Sequence, residues 1–152
     1  MEVGKNIYYT EHRLCHMVLA LKPFGCMPSA QSDGVQSAVM ARFKDMIFLP
    51  IETSGEGEMN AHSRVQMALN DAKAKARAEF ETVLKSTGKG LDDIREYVAG
   101  HPELRQPFYR VPHQPGITGT AAQFILHVSG LMDQCSPLRR QSRSAVLVRA
   151  SS

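Results

Sequence analysis

Two short apolar runs constrain this chain more than any other feature. The first lies in HMVLALKPF (His16–Phe24), where Met17, Val18, Leu19, Ala20 and Leu21 follow one another; the second is MIFLPI, Met46–Ile51. A short, unbroken apolar run bounded by Pro or Gly fits a strand buried on both faces. Pro23 closes the first run, because it has no N–H to give to a ladder. Between the runs, Val35, Val39, Phe43 and Met46 recur at three- and four-residue spacing. That spacing predicts a helix from about Asp33 to Lys44, with Ser32 or Asp33 as N-cap. Strand, helix, strand in this order predicts a parallel pair joined by a crossover.

The remaining elements read in the same way. Asn6–His16 has the look of a helix end. Glu52–Asn60 is a polar, glycine-bearing loop. From about Ala61 to Lys85, Val65, Leu69, Ala72, Ala76, Phe80, Val83 and Leu84 trace one helix face, with Asn60 or Ser63 as N-cap and Gly88 or Gly90 as C-cap. LDDIREYVAG is a shorter helix. The prolines at 102, 107, 112 and 115 make the next stretch loop or extended chain, and Thr118 or Thr120 caps a last helix through Met132. Two strands do not make a stable sheet. The expected fold is therefore α/β: a partial doubly wound parallel sheet, two buried strands with flanking helices, as a fragment of a larger domain. Residues 1–135 form this part, and 136–152 form a basic, Ser/Arg-rich disordered tail.

Charge supports that division. The net charge is +3, yet Arg139, Arg140, Arg143 and Arg149 all lie after residue 135 with no acid beside them. Taking those four from +3 leaves −1 on residues 1–135. The body thus carries no basic stripe for nucleic acid. No apolar run is long enough to span a membrane and no secretory signal opens the sequence, so the expected location is cytoplasmic, with neither nucleic acid nor membrane as partner. Cys15, Cys26 and Cys135 are odd in number, widely spaced and without a C-x-x-C pair, which fits reduced thiols rather than a disulfide framework.

In an open parallel sheet, ligands gather at the carboxyl ends of the strands. Two loops leave such ends here, KPFGCMPSAQSDG and ETSGEGEMNAHSR. Cys26 stands in the first, before a helix start whose N–H groups favour a thiolate. Gly25 beside it lets the backbone approach a bulky ligand. Glu52 follows the second strand directly and is expected to point into the shared crevice, as a polar contact or a proton-transfer group. The residues leave three readings of Cys26 open: metal ligand, nucleophile, or small buried residue. A nucleophile needs a base, and His12, His16, His62 and His113 are equal candidates. SGEGE lacks the phosphate-loop pattern and its acids repel phosphate. Gly116 and Gly119 precede a helix start, where an anion can bind, although an ordinary cap after a proline loop is the simpler reading. Lys73, Lys75 and Arg77 read as helix surface.

Pro23-Phe24-Gly25-Cys26, set between an apolar strand and a helix, and LALKPFGCMPSAQSDGVQSAV followed by FLPIETSGEGEMNAHSRVQMAL, resemble a known family. They are similar to the C-terminal part of activase-related proteins of the 2-hydroxyacyl-CoA dehydratase system and to the iron–sulfur domain of the dehydratase subunits. The resemblance covers roughly residues 5–133. It implies an α/β domain with an iron–sulfur cluster of 4Fe-4S type at the strand ends, served by an ATP-linked electron donor. By the same resemblance Cys26 is a cluster ligand. The other ligands would come from outside this chain, in the remainder of a longer parent protein or in a dehydratase or activase partner subunit. Such a piece is expected to have no independent activity. The competing expectations are a non-catalytic α/β module that docks through its sheet edge, and a cysteine-dependent hydrolase.

Overall fold

The computed structural model describes residues 2–53 and 58–135. The tail after Cys135 and the centre of the acidic loop lie outside the described residues. The protein is a mixed helix–strand chain: α1 (Glu2–Glu11), β1 (Val18–Pro23), α2 (Met27–Arg42), β2 (Phe48–Thr53), α3 (Glu58–Thr87), α4 (Leu91–Ala99), a 3-10 turn (Pro102–Arg105) and α5 (Thr120–Cys135). The described residues divide into two compact units, one of those up to Glu79 together with Gln114–Gly119, the other of Phe80–His113 together with those from Thr120 to Cys135.

The first unit holds the sheet. β1 and β2 pair in parallel, with Val18 opposite Phe48 and Pro23 opposite Thr53 at the two ends of the ladder. The strand–helix–strand expectation holds, but its details shift. α2 starts at Met27 and not near Asp33, and its N-cap is Cys26, with Pro28 in the first turn. Proline belongs there, since its missing N–H is not needed in a first turn and its φ is already helical. Ser32 and Asp33 therefore lie inside the helix. Asn60 and Ser63 likewise lie inside α3, which begins at Glu58.

β1 is also not buried on both faces. Alternation along a strand separates Val18, Ala20 and Lys22 from Leu19, Leu21 and Pro23. Lys22 is 3% exposed while Leu21 is 67% exposed and Leu19 also stands in solvent. On one face of the two-stranded sheet flanked by helices, Leu19 and Leu21 of β1 are thus exposed although Ile51 of β2, in register with Leu21, is buried. The sheet's buried apolar contribution comes from Met46, Phe48 and Ile51. α1 packs against α2.

The second unit is built around Ile94, Leu104, Ile125 and Val128, with Phe80, Leu84, Tyr97 and Phe124 packed against them. The chain turns from α3 into α4 at Gly88, whose φ of +65° is the left-handed conformation that closes a helix, its N–H donating to the Lys85 carbonyl. Gly90 is instead the N-cap of α4, its N–H bonded by the Asp93 carboxylate. Lys89 spans to α5, donating to the Ser129 carbonyl (2.6 Å), the Ser129 hydroxyl (2.9 Å) and Asp133 (2.7 Å). Among the described residues no helix is long and apolar enough to cross a membrane.

Candidate functional site

The carboxyl edge of the sheet collects the residues singled out from the sequence. At the end of β1 the chain turns through Pro23-Phe24-Gly25-Cys26, and the Cys26 N–H donates to the Pro23 carbonyl at 3.3 Å. Gly25 has φ +71°, a conformation L side chains rarely adopt, and a Cβ there would meet nothing within 4 Å. Glycine is required by the turn's handedness and not by crowding. The turn delivers Cys26 to the N-cap of α2, where its carbonyl accepts the Ala30 N–H at 3.0 Å and its side chain does not cap the helix. The sulfur therefore sits at the positive end of a helix dipole, partly exposed. Phe24, 73% exposed, and Met27 flank it in solvent.

Glu52 occupies the matching end of β2, in register with Lys22 and exposed. Thr53 ties the two strand ends, its hydroxyl donating to the Lys22 carbonyl at 3.1 Å. Gly25, Cys26 and Glu52 thus share one edge of the sheet. Cys15 lies elsewhere in the chain, before β1, and burial pushes its thiol up, an effect only partly offset by the Met17 N–H. A thiol held in its protonated form is a poor metal ligand and a poor nucleophile. Among the described residues no group of three His, Cys, Asp or Glu side chains could hold a metal ion. Cys26 therefore belongs to no group of three such side chains among the described residues.

The four histidines weighed as bases are occupied with other partners. His16 Nε2 lies 3.0 Å from Glu79, His12 Nδ1 2.9 Å from the Tyr8 carbonyl, His62 3.4 Å from the Gln66 amide and His113 2.9 Å from the Gln123 amide.

Two polar clusters escaped the sequence reading. The first lies beneath the strands. Lys22 projects inward, its ammonium ion-paired with Asp33 and 5.7 Å from the centre of the Phe48 ring. One turn beyond Asp33 on α2, Gln36 is 1% exposed, and among the described residues neither its amide nitrogen nor its carbonyl oxygen has a hydrogen-bond partner. The signal was the single lysine in an apolar strand: a charge placed there needs an acid partner nearby in space.

The second is centred on Glu79. Its carboxylate accepts the Thr118 N–H at 2.8 Å and the Gly119 N–H at 2.7 Å, besides the His16 ring, while the Thr118 hydroxyl donates to the Arg13 carbonyl at 2.6 Å. Burial alone would raise the Glu79 carboxyl, but the Thr118, Gly119 and His16 contacts together outweigh it and hold the group below its ordinary value. The glycines before α5 had marked this place as a possible anion site. The anion is the chain's own. Thr118 is accordingly not a helix cap by its side chain. Glu79 stands one helical turn from Ala76 and Val83, inside the apolar stripe of α3, and a carboxylate in that position was the available clue.

Lys75, read as plain helix surface, donates to the Asp45 carbonyl. No protein-family model, no curated protein and no solved structure matches this chain.

Proposed function

We propose that this chain is part of an activase-related protein of the 2-hydroxyacyl-CoA dehydratase system, a cytoplasmic protein in which Cys26 supplies one ligand to an iron–sulfur cluster. In this reading the two strands belong to a larger doubly wound sheet, and the remaining cluster ligands come from the rest of that protein or from a partner subunit. The observation that carries the proposal is the placement of Cys26. A left-handed glycine turn at the carboxyl end of a parallel strand sets its sulfur on the N-cap of α2, partly exposed, where a thiolate is favoured. The uncovered Leu19 and Leu21 support the larger sheet, because a parallel strand is stable only when both faces are covered.

A bound cluster would supply one-electron transfer. The roles of this chain's residues are narrower: Cys26 offers a thiolate, Gly25 allows the turn that presents it, and Glu52 lines the same edge. Anaerobic reconstitution with iron and sulfide, applied to the native protein or subunit complex that carries this sequence, tests the assignment. The expected result is a sulfur-to-iron charge-transfer absorption that Cys26→Ala weakens while the circular dichroism stays the same. An unchanged absorption in that variant would remove Cys26 from the ligand set.

The uncovered face of β1 favours a second reading, a non-catalytic α/β module that docks to a partner through the sheet. It shares the covering of Leu19 and Leu21 with the first reading and differs from it in leaving Cys26 without metal.

A further inference from the structure

The two edges of the sheet are unlike. The Val18 N–H donates to the Ile47 carbonyl at 2.9 Å, so the backbone of Val18 faces β2. Successive strand residues turn their N–H and C=O groups to opposite sides. Ala20 and Lys22 therefore also face β2, while Leu19, Leu21 and Pro23 turn their backbone to the outer edge of β1. By the same count Phe48, Pro50 and Glu52 turn theirs to the outer edge of β2.

The edge of β2 is guarded. Pro50 has no N–H to give, and its carbonyl accepts the Arg64 guanidinium at 3.0 Å. The edge of β1 has no such guard. Leu19 and Leu21 each offer an N–H and a carbonyl there, and among the described residues no third strand pairs with them. Their side chains are exposed as well. An edge of this kind is a template for another strand. Pro23 ends the template, since it lacks an N–H and its carbonyl accepts the Cys26 N–H.

The strand that fits is β1 itself. An antiparallel pair about a two-fold axis at Ala20 sets Leu19 of each copy opposite Leu21 of the other. Each such pair exchanges two bonds, so every leucine N–H and carbonyl on the edge is used. An axis at Leu21 would set Leu19 against Pro23, which cannot donate. An axis at Leu19 would set Leu21 against Met17, outside the strand. Opposite residues share a face, so the four leucines would pack together. Ala20 would meet its own mate at the closer, non-hydrogen-bonded position, where a small side chain fits. Lys22 would lie opposite Val18, with its charge met by Asp33 in its own copy, so no like charges would face each other.

We propose that the outer edge of β1 pairs with a second copy of this chain, joining the two sheets into one of four strands in the order β2-β1-β1-β2. The inference rests on the larger sheet of the reading above and names what continues it; it does not involve Cys26. The joined surface is small, so the association is weak and the single chain dominates at the low concentrations of optical spectroscopy.

Sedimentation velocity of the full chain over a range of concentrations should show a reversible monomer–dimer equilibrium. Leu19→Glu and Leu21→Lys, at exposed positions, should each weaken the dimer by about tenfold or more. The double variant should recover it, because position 19 of one copy faces position 21 of the other. With Cys15→Ser, Cys26→Ser and Cys135→Ser as background, Ala20→Cys should give a disulfide-linked dimer on mild oxidation, and Val18→Cys should not. Circular dichroism of each variant should match that of the parent. Cys26→Ala should leave the equilibrium unchanged, so the pairing and the ligand role of Cys26 stand or fall separately. A chain that stays monomeric at every concentration overturns the proposal. So does a dimer that neither charged variant weakens, a double variant as weak as the single ones, or Ala20→Cys that does not link. Protection of the Leu19 and Leu21 amides from exchange only when a different protein is added would give the edge to another strand and also overturn it.

Discussion

The two units of this protein handle apolar side chains in opposite ways. In the second, Ile94, Leu104, Ile125 and Val128 are inside, and Lys89 satisfies its charge on Ser129 and Asp133 at the margin. In the first, β1 turns Leu19 and Leu21 outward and Lys22 inward, and α2 buries Gln36. A unit arranged like the second is complete by the ordinary rule that apolar surface is removed from water. A unit arranged like the first has reversed that rule along one strand, β1, while Ile51 of the neighbouring strand stays buried.

Paired truncations test the comparison most severely. Ile125→Ala should cost about 3 kcal/mol, by transfer and cavity terms together. Leu21→Ala should change stability by less than about 0.5 kcal/mol, as expected for an exposed position. Denaturant unfolding followed by circular dichroism measures both. Similar losses at the two positions would mean that Leu21 is covered in solution, and the contrast between the units would disappear.

What the sequence made legible follows from periodicity. The strand–helix–strand order, α3 and α5 all came from apolar spacing, which burial imposes directly. The start of α2 was misplaced because Ser32 and Asp33 are good caps in isolation, while Pro28 was the stronger signal for a first turn. Apolar runs alone do not tell covered from uncovered faces, so β1 read as doubly buried. Gly25 and Cys26 were legible as a turn and a helix start. The Lys22–Asp33 pair was not, although Asp33 is only 11 positions on, because which face of the strand Lys22 takes is set by the fold; the Glu79 cluster was not, because its partners are distant in sequence, His16 by 63 positions and Gly119 by 40. One-dimensional patterns flag the odd charge, as at Lys22 and Glu79, but do not name its partner.

Glu79 sharpens the comparison from the polar side, since it gives the first unit a half-buried charge with its hydrogen bonds made. Glu79→Gln keeps the size and one acceptor but removes the ionic hydrogen bonds to Thr118, Gly119 and His16. A loss of about 2 kcal/mol at neutral pH is expected. The carboxyl lies below its ordinary 4.5 when folded, so its stabilisation is complete above that value. It is lost as the pH falls through the lower folded value. The acid limb of the stability curve should therefore flatten in the variant. An acid limb identical to that of the parent would mean that Glu79 does not carry this linkage.

Gln36 is the position where the first unit departs furthest from a satisfied interior, and the sign of its effect is the most informative. Both ends of its amide are without a partner among the described residues, at a site 1% exposed. Burying such a group uncompensated is unfavourable by about 1–3 kcal/mol. Gln36→Met preserves the length of the side chain and removes the polar atoms, so it should raise stability by about 1 kcal/mol, read as a higher midpoint in denaturant at unchanged slope. A loss of similar size would show that the amide is paired in solution, by an internal water or a bound group between α2 and the elements packed on it. In that event the inward-facing polar side of β1 and α2 would be a site in its own right, and the reversal of Lys22 and Leu21 would have a cause on both faces of the strand.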